Sequence, residues 1–105
     1  MNTKKISVEE MAMNLAVKWL KNQGYEVDNV SHNPACRGYD LVAKKIGVEE
    51  KIEVKGTKSK FGIPDLYETE WDSKGKVLVA DKLILVSFFE KEPKIYEIPR
   101  NYFKP

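Results

Sequence analysis

Two short runs of aliphatic and β-branched residues, each carrying charge, constrain how this chain can fold. The first is GYDLV at residues 38–42, and the second is IEVKG at residues 52–56. Both runs favour β-strands. The sequence IGV at residues 46–48 predicts a turn between them, with Gly47 at a positive φ. We therefore expect the two runs to pair as an antiparallel hairpin.

The charged side chains of these runs are expected to converge. Strand side chains alternate, so Glu53 and Lys55 share one face while Ile52 and Val54 point to the other, toward a core. Asp40 lies at the start of the neighbouring strand, where the turn permits it to approach Glu53. Two carboxylates beside an ammonium suit a hard divalent cation and a bound water. The alternative is an ordinary surface ion pair between Glu53 and Lys55, worth less than about 1 kcal/mol.

A helix is predicted ahead of the hairpin. Ser7 and Glu10 fit a capping box, and Gly24 fits the helix end. At about 100° per residue, Glu9 leans toward the apolar stripe and Glu10 toward water. Glu9 is then either a favourable charge in the first turn or a carboxylate beside a cleft. The apolar positions at helical spacing are Ala12, Leu15, Ala16, Trp19 and Leu20.

Further strands are predicted at residues 25–30, 81–89 and 94–98. The centre of the second of these is apolar on both faces, which is typical of a strand in the middle of a sheet. Residues 64–72 fit either a short helix or a strand. The expected fold class is α/β, with the N-terminal helix packed on a mixed central sheet of about five strands. The length of 105 residues predicts a single domain over residues 1–105.

Composition argues against several classes of protein. No apolar run approaches the ~18 residues of a membrane span, and the start MNTKK is no secretion signal. Cys36 is the only cysteine, so we expect no intrachain disulfide and a cytoplasmic location. His32 is the only histidine available to activate that thiol, and a packed Cys36 is favoured over a nucleophile. A net charge of +2 does not by itself imply a polyanionic partner.

The order helix, three strands, connection and strand, with Asp40, Glu53 and Lys55 at their spacing, resembles the PD-(D/E)XK (restriction-endonuclease-like) nuclease superfamily. Tyr39 stands immediately before Asp40 in place of the motif's proline. Residues 19–25, with WL and GY three residues apart, are similar to the first helix of archaeal Holliday junction resolvases. The TEW at residues 69–71 resembles the nuclease-like C-terminal domain of NO VEIN proteins. The resemblance covers about residues 7–90.

This resemblance implies a metal-dependent endonuclease that hydrolyses DNA phosphodiester bonds, on branched or structured DNA. Asp40 and Glu53 would bind Mg²⁺ or Mn²⁺ together with the Val54 carbonyl. Lys55 would position the attacking water or stabilise charge on the phosphate. Glu9 would complete the acidic site from the helix, although the resolvase pattern also aligns its acidic position with Met13.

Basic residues flank the proposed site in the sequence and are expected to follow a phosphate backbone, unless they are simply solvated strand ends. They are Arg37, Lys44, Lys45, Lys58 and Lys60. His32 and Asn33 precede Asp40 and either touch substrate or serve only the loop. Tyr67 and Trp71 either stack on bases or belong to the core.

Two other functions remain open at the level of the sequence. The first is a non-catalytic nucleic-acid-binding module on the same fold. The second is a partner-binding protein whose contacts come from residues 83–89 and from Tyr102 and Phe103. Those two aromatic residues are expected either to dock on their own domain or to contact a second subunit, so a homodimer is a further expectation.

Overall fold

A computed structural model describes residues 6–58 and 79–103, with the backbone alone at residues 102 and 103. The predictions for Lys60, Tyr67, Trp71 and residues 64–72 lie outside the described residues. The elements are α1 (Val8–Asn22), β1 (Glu26–Asn29), β2 (Leu41–Lys45), β3 (Val48–Thr57), β4 (Lys82–Ser87), β5 (Lys94–Pro99) and a 3₁₀ helix over Arg100–Phe103.

Helix α1 begins and ends where the sequence predicts. Ser7 is the N-cap, and its side-chain oxygen accepts a 3.1 Å hydrogen bond from the backbone N–H of Glu10. Gln23 is the C-cap, and Gly24 follows with φ at +93°. The buried stripe consists of Ala12, Ala16 and Leu20. No helix in the described part of the chain is long and apolar enough to cross a membrane.

The five strands form one mixed sheet in the order β1-β2-β3-β4-β5. Every neighbouring pair is antiparallel except β3 and β4, which are parallel. The predicted hairpin is confirmed, with Gly47 at φ +76° in its turn. The predicted fold class is also confirmed, because one N-terminal helix packs on a mixed five-stranded sheet.

Strand β3 changes partner at Ile52. Its first half, Val48 to Ile52, pairs with β2 on one side. Its second half, Ile52 to Thr57, pairs with β4 on the other side. Beyond Ile52 the ladder with β2 therefore stops, and a gap opens at the edge of β3 beside the start of β2. This gap is where the candidate site lies.

Both faces of the sheet carry apolar clusters, and β4 contributes to each. On one face the helix stripe packs on Leu41, Ala43, Ile52, Val54, Ile84 and Val86. On the other face lie Ala80, Leu83, Leu85 and Ile98, with Tyr39 and Tyr96 against them. The prediction of a central strand buried on both faces is thereby confirmed for β4.

Helix α1 approaches β3 closely because of Gly56. A Cβ at Gly56 would lie 2.9 Å from the Cβ of Ala12 and 3.0 Å from the backbone oxygen of Val8. Only glycine allows the first turns of α1 to lie this near the end of β3. The same contact fixes the position of Glu9, which follows Val8 directly.

A network of charged and polar groups connects three strands with Tyr25, which lies between α1 and β1. The Lys82 Nζ donates to Glu97 Oε2 at 2.7 Å and to Glu50 Oε1 at 3.0 Å. The Tyr25 hydroxyl donates to the same Glu50 oxygen at 3.3 Å. Burial lowers the pKa of Lys82, but the hydrogen bonds to Glu97 and Glu50 outweigh it and the net pKa is raised. Burial, and then the Glu50 charge, raises the pKa of Tyr25.

We expect Lys82→Met to destabilise the fold by about 1–2 kcal/mol, because two partly exposed carboxylates lose a shared charged donor. Urea unfolding measures the change. Lys94→Met is the matched control, since Lys94 and Glu90 are 50% and 59% exposed and such a pair contributes less than about 0.5 kcal/mol. Equal losses in the two variants would contradict the prediction.

The pH dependence of this difference follows from the raised pKa of Lys82. The stabilisation is fully present below the unfolded pKa of lysine, near 10.5, and is lost only as the pH rises through the higher folded value. The gap between wild type and Lys82→Met should therefore stay constant from about pH 6 to pH 9. A gap that closes within that window would contradict this assignment.

Candidate active site

Asp40 lies immediately before β2, next to the part of β3 that is not paired with β2. Its backbone N–H donates to the Ile52 oxygen at 2.8 Å, and its backbone oxygen accepts from the Val30 N–H at 2.8 Å. Its carboxylate Oδ2 accepts a 2.9 Å hydrogen bond from the backbone N–H of Val54. Because β2 starts only at Leu41, the Asp40 side chain takes the place of a missing ladder partner. The carboxylate is thereby held against the edge of β3.

Glu53 and Lys55 follow the predicted alternation. Ile52 and Val54 pack under α1, so Glu53 and Lys55 point to the opposite face. The side chains of Glu53 and Lys55 are 8% and 18% exposed, and Lys55 Nζ lies 3.8 Å from Glu53 Oε2. This is not the solvated surface pair of the alternative interpretation. Glu53 is instead a buried carboxylate, 6% exposed as a whole residue.

Two clefts meet at Asp40 and Glu53. The helix cleft, with a volume of 540 Å³, runs from the start of α1 to the end of β3. The loop cleft, with a volume of 320 Å³, lies under residues 31–40. Both clefts are lined by Ser31, His32, Asp40 and Glu53. The carboxylate pair therefore sits at the junction of two concave surfaces.

The helix cleft brings together the four residues predicted to be catalytic. Glu9, Asp40, Glu53 and Lys55 all line it, and so does Val54. Glu9 itself is exposed to solvent at the start of α1. Met13, one turn further along the helix, lines the same cleft. The helix therefore presents both of the positions that the sequence left open.

The oxygen atoms near this junction suit a hard cation with a partial water shell. The N–H and C=O groups of one strand residue point to the same edge, so the Val54 carbonyl faces the side on which Asp40 lies. Within residues 6–58 and 79–103, no three His, Cys, Asp or Glu side chains form a group that could hold a metal ion. The oxygens that could contact a cation here are those of the Asp40 and Glu53 carboxylates and of the Val54 carbonyl. Mg²⁺ accepts such a set because it usually keeps several waters.

The loop before Asp40 is built by side-chain hydrogen bonds to its own backbone. Asn29 Oδ1 accepts from the N–H of Ser31 at 3.0 Å and from its hydroxyl at 2.6 Å. Asn33 Oδ1 accepts from the N–H of Ala35 at 2.9 Å. These are Asx turns, which fix a loop locally. They turn the Ser31 and His32 segment toward both clefts.

Gly38 and Tyr39 anchor the end of that loop. Gly38 has φ at +90°, and a Cβ there would lie 2.7 Å from the Cβ of Val79. Tyr39 packs against the cluster that contains Leu83 and Leu85. The side-chain hydrogen bond with Cys36, and then burial, raises the pKa of Tyr39. Tyr39 therefore serves as a packing anchor immediately before Asp40.

Residues 8–98 match the protein family described as "Protein NO VEIN, C-terminal". The chain belongs to this family. In the comparisons with curated proteins and with solved structures, nothing matches this chain. The predicted resemblance to NO VEIN C-terminal domains is confirmed, whereas the resemblance to PD-(D/E)XK enzymes and to archaeal resolvases stays a prediction. The matched span includes Glu9, Asp40, Glu53 and Lys55.

The basic residues of this NO VEIN C-terminal domain do not all lie near the clefts. Arg37 lines the loop cleft. Lys58 is exposed just after the end of β3. Lys44 and Lys45 lie at the far end of β2, roughly 14 to 17 Å from Asp40 along the strand. The Lys45 Nζ instead lies 4.4 Å from the centre of the Tyr25 ring.

Other lining residues carried weaker signals in the sequence or none. Ser31 lines both clefts, and Asn14 lines the helix cleft. Neither was singled out in the sequence, and only the position of Ser31 in the loop before Asp40 pointed to it. For His32 and Asn33 the sequence predicts either a substrate contact or a role in the loop alone, and both residues line the loop cleft. Cys36, which is partly buried, lines it as well.

We expect Asp40→Ala to destabilise this domain by about 1–3 kcal/mol, because the Val54 N–H loses its acceptor in a partly buried place. Asp40→Asn keeps an acceptor oxygen and should cost less than half as much. Asp28→Ala, at an exposed position on β1, is the control and should change stability by less than about 0.5 kcal/mol. Urea unfolding distinguishes these cases. Equal losses for the alanine and asparagine variants would show that the hydrogen bond is not what matters.

Proposed function

We propose that this NO VEIN C-terminal domain is a metal-dependent endonuclease that hydrolyses DNA phosphodiester bonds. One observation carries the proposal. Asp40, Glu53 and Lys55, which come from adjacent extended segments, line the same cleft at the point where β2 and β3 separate. Two carboxylates suit a hard cation that assists phosphodiester hydrolysis, and an ammonium beside them suits the negative charge of the phosphate.

The burial of Glu53 supports a role in function. Transfer of a carboxylate from water into a protein carries a substantial free-energy cost. Its partner in the β4 register is Leu83, and the neighbouring pair is Lys55 with Leu85. An apolar residue at position 53 would therefore suit the surroundings at lower cost. A carboxylate kept buried beside another carboxylate and an ammonium, in a cleft, is typical of a functional position.

Each residue has a distinct role in the proposed mechanism. Asp40 and Glu53 would hold Mg²⁺ or Mn²⁺ with their carboxylate oxygens, together with the Val54 carbonyl. The bound cation would polarise the phosphodiester and lower the pKa of a coordinated water. Lys55 stabilises the negative charge that develops on the phosphate oxygens.

Two further features position these groups. The hydrogen bond from the Val54 N–H holds the Asp40 carboxylate in place before any ligand arrives, which reduces the cost of ordering it. Glu9, exposed at the start of α1, adds a third carboxylate to the lining of the helix cleft and is suited to accept a hydrogen bond from a water. The contact of α1 with Gly56 fixes how near that carboxylate lies.

A non-catalytic nucleic-acid-binding module is the second candidate. It is favoured by the fact that no three possible metal ligands cluster among the residues described. It predicts DNA affinity that falls with salt and no cleavage with any divalent cation. A cleavage assay with a divalent cation therefore distinguishes the two candidates.

We expect the purified domain to cleave linear or branched DNA when Mg²⁺ or Mn²⁺ is supplied and not in EDTA. Glu53→Gln and Asp40→Asn should reduce cleavage to the uncatalysed background, and Lys55→Met should slow it about 10²- to 10³-fold. Glu26→Gln, an exposed carboxylate on β1, is the control and should cleave as wild type. Gel separation of labelled products measures the rates. Cleavage that survives both carboxylate variants would remove this site.

Metal binding can be tested apart from cleavage. Mn²⁺ at a hundred times its dissociation constant should stabilise the wild-type domain by about 2.7 kcal/mol, seen as a rise in melting temperature. Asp40→Asn should lose most of this rise, whereas Glu26→Gln should retain it. An equal rise in all three proteins would place the cation elsewhere.

A further inference from the structure

The two clefts that meet at the carboxylate pair differ in charge. The helix cleft carries Glu9 and Glu10 at the start of α1, and it also carries Lys55 beside Glu53 on β3. The loop cleft carries Arg37, together with the imidazole of His32 and the amide of Asn33. A phosphodiester strand that crosses the carboxylate pair would meet Glu9, Glu10 and Lys55 on the helix side. On the loop side it would meet the Arg37 guanidinium and no carboxylate other than the shared Asp40 and Glu53. The flanking phosphates of such a strand therefore have a preferred side.

The guanidinium of Arg37 is available for a ligand. Within the described residues it makes no hydrogen bond or ion pair with the rest of the protein. The other arginine, Arg100, is bound to its own domain. It donates to the carbonyl oxygens of Ala80 and Val79 at 2.9 Å each and to the Asp81 carboxylate at 3.2 Å. The two arginines thus have different uses, one structural and one facing a cavity.

The loop cleft is also suitable in size and rigidity. Its volume of 320 Å³ lies at the lower end of the range for small-ligand pockets, about 300–1,000 Å³. Its wall is held by the Asx turn at Asn33 and by the packing of Gly38 against Val79. A pre-formed wall keeps the Arg37 backbone near the junction, so only the Arg37 side chain has to be ordered at the moment of binding.

From these observations we infer that the loop cleft is a subsite for the nucleotide next to the scissile phosphate, with Arg37 binding the phosphate of that nucleotide. This inference rests on the proposed function and deepens it. It also predicts how the DNA strand lies across the site, with the flanking phosphate on the loop side and away from Glu9 and Glu10. Lys44 and Lys45, at the far end of β2, take no part in this subsite.

Binding of a fluorescein-labelled 12-nucleotide DNA strand, measured by anisotropy in EDTA at several salt concentrations, tests the subsite without cleavage. Arg37→Gln should weaken binding about 5- to 10-fold at 0.1 M salt and should lower the salt slope by about 1. Arg37→Lys should recover part of the affinity. Lys44→Gln, the matched control, should change affinity less than about 2-fold. Similar losses for Arg37→Gln and Lys44→Gln would overturn the inference.

A second measurement locates the phosphate. A DNA strand in which one phosphate beside the cleavage site is a neutral methylphosphonate removes the charge that Arg37 would contact. At one of the two phosphates that flank the cleavage site, this change should slow cleavage by the wild type. At the same position it should not slow cleavage by Arg37→Gln any further. Independent effects at both positions would overturn the inference.

The outcomes keep the inference and the proposed nuclease apart. A domain that cleaves DNA with Arg37→Gln unchanged in affinity would retain its activity and lose the subsite. A domain that binds DNA through Arg37 but never cleaves would retain the subsite as part of a binding module. Unchanged urea unfolding of Arg37→Gln confirms that the exposed loop position tolerates the substitution.

Discussion

The hydrogen bond from the Val54 N–H to the Asp40 carboxylate determines how the rest of the candidate site is arranged. Strand β3 exchanges β2 for β4 as its partner at Ile52, so a backbone donor on its free edge needs an acceptor. Asp40 supplies that acceptor with its side chain at 2.9 Å. The Asp40 carboxylate is thereby held beside Glu53. Glu53 is itself buried, on the face of β3 opposite to α1. The Asp40 carboxylate therefore completes the sheet and lines the cleft.

Much of the fold could be predicted because its causes are local. Ser7 caps α1, Gly47 occupies a turn that requires a positive φ, and the apolar run of β4 requires burial on both faces. Each of these depends on a few neighbouring residues. The parallel pairing of β3 with β4 does not depend on neighbouring residues, because a long connection separates the two strands in the sequence. The network of Lys82 with Glu50 and Glu97 was likewise invisible, since its members come from three strands.

The site shows the same division. The approach of Asp40 to Glu53 and the shared face of Glu53 and Lys55 followed from a tight turn and from strand alternation. Lys44 and Lys45 were expected to flank the site because they lie close to Asp40 in the sequence. A strand advances roughly 3.4 Å per residue, so a short separation in sequence becomes a long one in space. The cleft-lining role of Ser31 depended on Asx turns whose geometry the composition of a loop does not specify.

The burial of β4 on both faces has a consequence for how the molecule opens. Amide hydrogens of β4 belong to the most protected part of the sheet, whereas β1 is a four-residue strand at its edge with three exposed side chains. Local opening should therefore begin at β1, at the edge of the sheet, and it should reach β4 last. Asp40 lies at the border between the part that exchanges quickly and the part that exchanges slowly. Opening at this edge leaves the loop before Asp40 in place, because Asx turns and the packing of Gly38 hold that loop.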